Sequence, residues 1–169
     1  MASRLRRARY RVRQFTHGLR PFLAPREVEE ARARLSAAEF VLFLAAEARD
    51  RRHSLDLFAA LRATGAGESE LVAALVHDVG KGSLRTWHRI AFVLLNAAVP
   101  HLGRRLEAAH GAPWRQALWR LRHHARLGAE RLEGAGSEAR VIELVRRHTE
   151  EPPTDDPELA RFIAFDNWS

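Results

Sequence analysis

The stretch AALVHDVGKG, from Ala73 to Gly82, decides the fold because it places two polar side chains on an otherwise apolar helix. Residues three, four and seven apart share one face of a helix. By this rule Asp78 lies on the same stripe as Leu71 and Leu75, and His77 lies beside it. A polar group on an apolar face loses its solvation unless it finds a partner. We therefore expect His77 and Asp78 to point inward.

Outward from this stretch, apolar residues recur with a helical period through almost the whole chain beyond Pro25. No segment alternates as a strand would. The sequence therefore predicts an all-α bundle of roughly seven to eight helices. The predicted helices run from Arg26 to Glu47, Asp50 to Ala63, Glu68 to Val79, Leu84 to Ala98, Trp114 to Arg122, His124 to Leu132, Ser137 to His148 and Pro157 to Trp168.

Length and composition narrow the class of protein. A chain of 169 residues that is 46% hydrophobic can bury one ordinary core. We predict a basic, Arg-rich N-terminal extension over residues 1–25 and one helical domain over residues 26–169. Because the chain has no cysteine, disulfide scaffolds, iron–sulfur clusters and cysteine nucleophiles are excluded. Any metal must bind to His, Asp or Glu.

The net charge of +7 is compatible with an anionic ligand. All basic residues are Arg except Lys81, and seven Arg fall within the first twenty residues. Such an arm could contact nucleic acid or an anionic membrane, or it could be a solvated tail. The sequence therefore leaves nucleic-acid binding open.

No targeting signal is evident. The basic start is not followed by the apolar core of about 7–15 residues that a signal peptide needs. The best apolar run, from Ile90 to Pro100, is shorter than the roughly 20 residues of a membrane span. We predict a cytoplasmic protein, and the sequence carries no signal for an oligomeric state.

The same face rule identifies further inward-pointing polar residues on other helices. Two carboxylates and four imidazoles are too many to bury unpaired, whereas a divalent cation would neutralise and ligate them. His88 also lies on an apolar stripe and is interpreted as a hydrogen-bonded core residue. His123 points about 100° away from His124 around the helix and cannot face the same site. The inward set comprises His53, His77, Asp78, His124, His148 and Asp166.

These residues occur in the order of a known family. The segment DRRHSLDLF precedes AALVHDVGKG, and HARLGAERL, RRHTE and a terminal Asp follow. In this order the chain resembles the HD superfamily of metal-dependent phosphohydrolases, over residues 40–169. HARLGAERL resembles the H-x-x-x-G-A-E segment of cyclic-di-GMP phosphodiesterases, but the GYP motif of that class is missing. The resemblance therefore implies an HD-domain helical bundle without implying cyclic-di-GMP as substrate.

The resemblance also implies a ligand set and a cofactor. It places metal ligands at His53, His77, Asp78, His124, His148 and Asp166. The order is similar to that of two-metal members such as the bacterial diadenosine tetraphosphate hydrolases. One-metal members need neither His124 nor His148, so these two residues decide the number of ions. The expected cofactor is one or two divalent ions of the Mn, Fe, Mg, Ni or Co class.

Phosphoester or phosphoanhydride hydrolysis suits such a centre, because a divalent cation polarises a phosphoryl oxygen and lowers the pKa of a bound water. We expect Asp78 to bridge two ions and Lys81 to reach a substrate phosphate, with helix-dipole compensation as the alternative role of Lys81. Arg49 and Arg52 flank His53 and are candidate phosphate contacts. The expected substrate is a phosphorylated, nucleotide-like small molecule.

Two other functions stay open. The domain could be a non-catalytic nucleotide- or nucleic-acid-binding module whose working part is the Arg-rich arm. The same ligand order also occurs in the HD-type di-iron oxygenases that resemble myo-inositol oxygenase. Metal identity separates the oxygenase from the phosphohydrolase, and a protein that binds no metal would favour the binding module.

Overall fold

The computed structural model describes residues 22–168, which form nine α-helices and one 3₁₀ turn and include no strand. This architecture confirms the all-helical prediction for the described part of the chain. The helices are α1 (Pro25–Arg34), α2 (Ala37–Ala45), α3 (Ala48–Ala63), α4 (Glu68–Val76), α5 (Thr86–Ala98), α6 (Pro100–Leu106), α7 (Pro113–Gly134), α8 (Ala139–Arg147) and α9 (Pro157–Asp166), with the 3₁₀ turn at Val79–Lys81 between α4 and α5.

The helices differ from the prediction in four regions. Helix α6 lies where no helix was predicted, and the predicted helix Glu68–Val79 ends at Val76, where the 3₁₀ turn follows. The predicted helix Arg26–Glu47 is two helices, because Ser36 begins α2 with a capping box. The Ser36 hydroxyl accepts from the Glu39 N–H at 3.3 Å, and the Glu39 carboxylate accepts from the Ser36 N–H at 2.9 Å. Conversely, the predicted break at His123 does not exist, since α7 continues through it.

The main core surrounds α4. This helix is buried from Glu70 to Val76 and packs against α2, α3, α8 and α9. Phe43, Leu57 and Phe162 are among the large side chains buried around it. Because α4 is enclosed on several sides, any polar group at its C-terminal end is removed from water.

A smaller core lies between α5 and α7. Leu84, Ala117 and Leu121 are buried there, and Phe92 of α5 packs against them. This second cluster holds α5 to the bundle by one face only.

Two ion pairs fasten α9. Arg161 of α9 donates to the buried carboxylate of Glu70 on α4 at 2.8 Å. At the other end, Arg140 of α8 donates to the Asp156 carboxylate at 2.6 Å. These pairs fix the helix that ends at Asp166.

The predicted N-terminal extension lies mostly outside the described residues, which begin at Phe22. Leu23 already packs against the main core, and Arg52 donates to the Phe22 carbonyl at 3.3 Å. The bundle thus includes residues before the predicted boundary at residue 26. None of the helices in residues 22–168 combines the length and apolar character needed to cross a bilayer.

Candidate metal centre

The end of α4 brings His77 and Asp78 together in the interior. Helix α4 stops at Val76, and the chain turns through the 3₁₀ segment, with the Lys81 N–H donating to the Asp78 carbonyl at 3.0 Å. His77 is 1% exposed and Asp78 is 3% exposed. Both predicted inward orientations agree with this burial.

The 3₁₀ turn touches the backbone of α7. A Cβ atom at Gly80 would lie 2.0 Å from the His124 carbonyl oxygen, so no other residue fits there without displacing the helix. A Cβ atom at Gly128 would lie 3.4 Å from the His77 carbonyl oxygen. The two glycines therefore let the turn approach α7 closely enough to bring His124 beside Asp78.

Two arginines of α7 hold the turn by its carbonyl groups. Arg131 donates to the Val79 carbonyl at 2.5 Å, and Arg120 donates to the Lys81 carbonyl at 3.2 Å. The turn ends at Gly82, whose φ of 61° and ψ of −161° lie in a region that essentially only glycine adopts. The sequence alone does not identify Arg120, Arg131 or the close contact between Gly80 and Gly128, although both of these glycines lie inside the quoted motifs.

The structure brings all six predicted ligand residues together, in two groups. Within each group the candidate ligand atoms lie within 4.8 Å of one another. His53, His77 and Asp166 form the first group, and Asp78, His124 and His148 form the second.

Carboxylate oxygens link the imidazoles of these groups. In the first group, Asp166 Oδ1 lies 2.9 Å from His53 Nε2 and 3.4 Å from His77 Nε2. Asp78 Oδ1 lies 3.7 Å from His124 Nε2 in its own group and 3.5 Å from His77 Nε2 in the other. Asp78 Oδ1 is thus placed between the two groups.

Three of the imidazoles are oriented in the same way. The Nδ1 atoms of His77, His124 and His148 lie 3.0, 2.8 and 2.7 Å from the carbonyl oxygen three residues upstream. A carbonyl only accepts hydrogen bonds, so each Nδ1 carries a proton and each Nε2 faces the cluster. Backbone orientation of this kind is what metal-ligating histidines commonly show.

Several polar atoms of the cluster have no satisfactory hydrogen-bond partner within the described residues. His77 Nε2 and Asp78 Oδ1 are buried and make no hydrogen bond. The Nε2 atoms of His124 and His148 face each other at 3.1 Å, although both imidazoles already donate from Nδ1. A divalent cation would accept the lone pairs of Asp78 Oδ1 and of the two facing Nε2 atoms, and that of His77 Nε2 once its proton is released, since His nitrogen and carboxylate oxygen are suitable ligands for it. The residues present therefore fit a divalent metal.

Burial and neighbouring charges set the protonation of the cluster. Burial opposes ionisation of both carboxyls, but the charge of His77 outweighs it, aided by Lys81 at Asp78 and by His53 at Asp166, so the pKa of each carboxyl is lowered. Burial lowers the pKa of His124 to about 3 and that of His148 to about 4.

His77 has the opposite shift. Burial favours its neutral form, but the charges of Asp78 and Asp166 prevail and raise the pKa of His77 to about 9. The cluster without a cation thus combines ionised carboxylates, two neutral imidazoles and one charged imidazole. Metal ligation needs deprotonated ligands, so among these three imidazoles only His77 must release a proton at neutral pH.

The predicted phosphate contacts have different environments. Lys81 is half-buried, and its Nζ lies 2.5 Å from Asp78 Oδ2, the oxygen that does not face the imidazoles. Arg52 is engaged by Glu27 at 2.7 and 2.9 Å and is buried, so its guanidinium is occupied away from the cluster. Arg49 is exposed on α3.

The other histidines of the described chain lie outside the cluster. His88 is buried, and its Nδ1 accepts from the Arg85 N–H at 3.1 Å. His123 packs on Trp119 with ring centroids 4.8 Å apart. His101 and His110 are exposed.

The protein is thus a helical bundle with an interior cluster of four His and two Asp side chains, which is the kind of site that binds divalent metal ions. A family model described as HD domain matches residues 41–165. The chain therefore belongs to the HD domain family, whose members bind divalent metals and are in general metal-dependent phosphohydrolases. Comparisons with curated proteins and with solved structures returned no match.

Proposed function

We propose that the protein is a metal-dependent phosphohydrolase acting on a phosphoester or phosphoanhydride of a nucleotide-like substrate. The observation that carries the proposal is a buried cluster of potential metal-ligand atoms that have no satisfactory hydrogen-bond partner among the described residues: His77 Nε2, Asp78 Oδ1 and the facing Nε2 atoms of His124 and His148. Family membership supports the reaction class.

The two groups of ligand atoms suggest a dinuclear centre. His53, His77 and Asp166 would hold one ion, and Asp78, His124 and His148 would hold the other. Asp78 Oδ1 lies 3.5 Å from His77 Nε2 and 3.7 Å from His124 Nε2, so this carboxylate would be within reach of an ion held by either group.

A bound divalent ion supplies Lewis-acid polarisation of a phosphoryl oxygen and lowers the pKa of a coordinated water. The chain's own residues prepare the site for this chemistry. Lys81 neutralises Asp78 Oδ2 and thereby keeps Oδ1 turned toward the imidazoles. Its half-buried ammonium at the edge of the cluster is also the group we assign to contact a substrate phosphate.

The charge of the chain supports an anionic substrate. A net charge of +7 attracts phosphorylated molecules at long range. With Arg52 held by Glu27 and Asp56, at 2.7 and 3.1 Å, the proposed phosphate contact rests on Lys81.

The proposal is tested by metal content and phosphate release on the full-length protein, with Asp78→Asn as the test variant. We expect about two equivalents of a divalent ion in the wild type and release of phosphate from at least one compound in a panel of mononucleotides, dinucleoside polyphosphates and cyclic nucleotides. Asp78→Asn should lose both properties, because the variant lacks the charged oxygen shared by the two groups. His123→Gln is the matched control and should retain both.

Two results would overturn the proposal. A protein that stays free of metal after reconstitution yet binds nucleotides would be a non-catalytic module. A protein that holds iron, consumes oxygen with an organic substrate and releases no phosphate would be an oxygenase.

A further inference from the structure

Helix α5 presents an apolar face that nothing in the described chain covers. Between 48% and 63% of the surface of four large side chains on this helix is exposed: Trp87, Ile90, Val93 and Leu94. Helix α6, which follows directly, exposes Leu102 as well. A soluble surface rarely groups large apolar side chains in this way, so such a patch indicates a binding surface.

The exposed side chains lie on one face of α5. Trp87, Ile90 and Leu94 are three and four residues apart, which places them in one row. The opposite face carries the buried His88 and Phe92, which packs on the small core against α7. Helix α5 therefore has one apolar face that packs inside the bundle and a second apolar face that is exposed to solvent.

The charged residues of this segment are all arginines, and the neighbouring carboxylates of Asp50 and Glu107 are each paired with an arginine. From Leu84 to Leu106 the sequence holds four Arg and no Asp or Glu. Arg89 is paired with Asp50 at 2.6 Å. The other three, Arg85, Arg104 and Arg105, are exposed and make no ion pair with any described residue.

We propose that α5 and α6 dock this protein on an anionic lipid surface. Helix α5 has only 13 residues and lies in the plane of the surface, with Trp87, Ile90 and Leu94 inserted at the boundary between headgroups and acyl chains. Arg104 and Arg105 contact the lipid phosphates. This proposal is independent of the reaction that the buried cluster performs.

Charge complementarity favours lipid over the other possible occupants. A second copy of the chain docking through the same face would bring the unpaired arginines of both copies together. Residues 1–21 are a poor occupant for the same reason, since they contain seven Arg and no acidic residue. An anionic bilayer supplies both the apolar phase and the negative charge that this face lacks.

The test is co-sedimentation of the full-length protein with vesicles. Phosphatidylcholine vesicles containing about one third phosphatidylglycerol should bind the protein, and added salt should weaken binding because the arginine contacts are screened. Ile90→Ser/Leu94→Ser should weaken binding at least about tenfold, because two inserted side chains are lost. Arg104→Ser/Arg105→Ser should weaken it about fivefold for each arginine removed.

A matched control comes from α2, where Val41 and Leu44 are also exposed but are not surrounded by arginines alone. Val41→Ser/Leu44→Ser should bind vesicles like the wild type. If Ile90→Ser/Leu94→Ser and Val41→Ser/Leu44→Ser have equal melting temperatures, a difference in their vesicle binding does not come from a folding defect. The proposal is overturned if the wild type stays in the supernatant, if Ile90→Ser/Leu94→Ser binds undiminished, or if sedimentation velocity shows a dimer that this variant abolishes.

Discussion

His124 and His123 are neighbours in sequence with different environments. His124 Nε2 faces His148 Nε2 at 3.1 Å inside the cluster, whereas the His123 ring packs on Trp119. Adjacent residues of a helix point about 100° apart, so only one of the pair can serve the cluster. His124 is therefore a candidate metal ligand, whereas His123 on the same helix is not.

We predict that His124→Gln loses about one of two metal equivalents, because His124 belongs to only one of the two ligand groups. Elemental analysis of the purified variant measures this loss. His123→Gln should keep the full metal content. Metal loss in His123→Gln with retention in His124→Gln would contradict the assigned orientation of α7.

Gly80 is required by space and not by backbone conformation, since its φ is not positive. We predict that Gly80→Ala lowers the free energy of unfolding by about 3 kcal/mol, because the added Cβ overlaps the His124 carbonyl oxygen. Urea unfolding measures the change. Gly134→Ala is the control. Gly134 is the last residue of α7, and a Cβ atom added there would meet nothing within 4 Å, so the substitution should stabilise the protein by about 0.5–1 kcal/mol.

At the scale of elements, the beginning of α9 determines where its end, Asp166, is held. Asp156 caps this helix by accepting from the Leu159 N–H at 3.0 Å. The same carboxylate accepts from Arg140 of α8 at 2.6 Å. The hydrogen bond from Arg140, followed by that from Leu159, lowers the pKa of Asp156 below its usual value.

A folded-state pKa below the unfolded one gives a stability contribution that is present above the unfolded pKa and is lost as pH falls toward the folded pKa. We predict that Asp156→Asn costs about 1 kcal/mol at pH near 7, because asparagine keeps the cap but loses the ion pair. Below about pH 4 the difference should shrink as the wild-type carboxylate is protonated. Urea unfolding at the two pH values measures this, and an unchanged difference would contradict the role of the carboxylate charge.

The predictability of the elements follows from how local their signals are. Helices α3 and α4 begin within two residues of the predicted positions because their apolar period is visible in a short window. The apolar period hides the break at Ser36, because apolar residues recur on both sides of it, although the capping box with Glu39 marks it. The apolar period also does not reveal that α7 is continuous across His123, because the two adjacent histidines interrupt the run of apolar residues.

At the scale of the whole molecule, the candidate ligands join separate parts of the bundle. His53 lies on α3, His77 and Asp78 at the end of α4, and Asp166 at the end of α9. His124 lies on α7 and His148 directly after α8. Two cations, one bound by each ligand group, would cross-link the fold: the first would join α3, the end of α4 and α9, and the second would join the end of α4, α7 and the end of α8.

We predict that a chelator lowers the melting temperature of the protein as purified, because a ligand that binds only the folded state stabilises it by about 2.7 kcal/mol at a hundredfold excess over Kd. Thermal unfolding with and without chelator, followed by re-addition of Mn²⁺, measures the effect. Asp78→Asn should melt at one temperature under all three conditions. An identical melting temperature for the wild type in all conditions would contradict a structural contribution of the metal.

The sequence by itself determined that the chain is helical and that the His and Asp side chains of the cluster point inward, although it did not select the buried carboxylates of Asp50 and Glu70. Both follow from the 3.6-residue period, which is a local property of the chain. His53, His77 and Asp78 could therefore be selected before any contact was known, and the order of the motifs pointed to the family.

Only the tertiary structure decided which of these side chains share a ligand group, because residues on five different helical segments meet through packing that no local pattern encodes. It also showed that Arg52 is taken by Glu27, and that Gly80 lies against the backbone of α7. The apolar face of α5 is the clearest case. Periodicity marks a face as apolar, but whether a neighbour covers that face depends on how the whole chain packs.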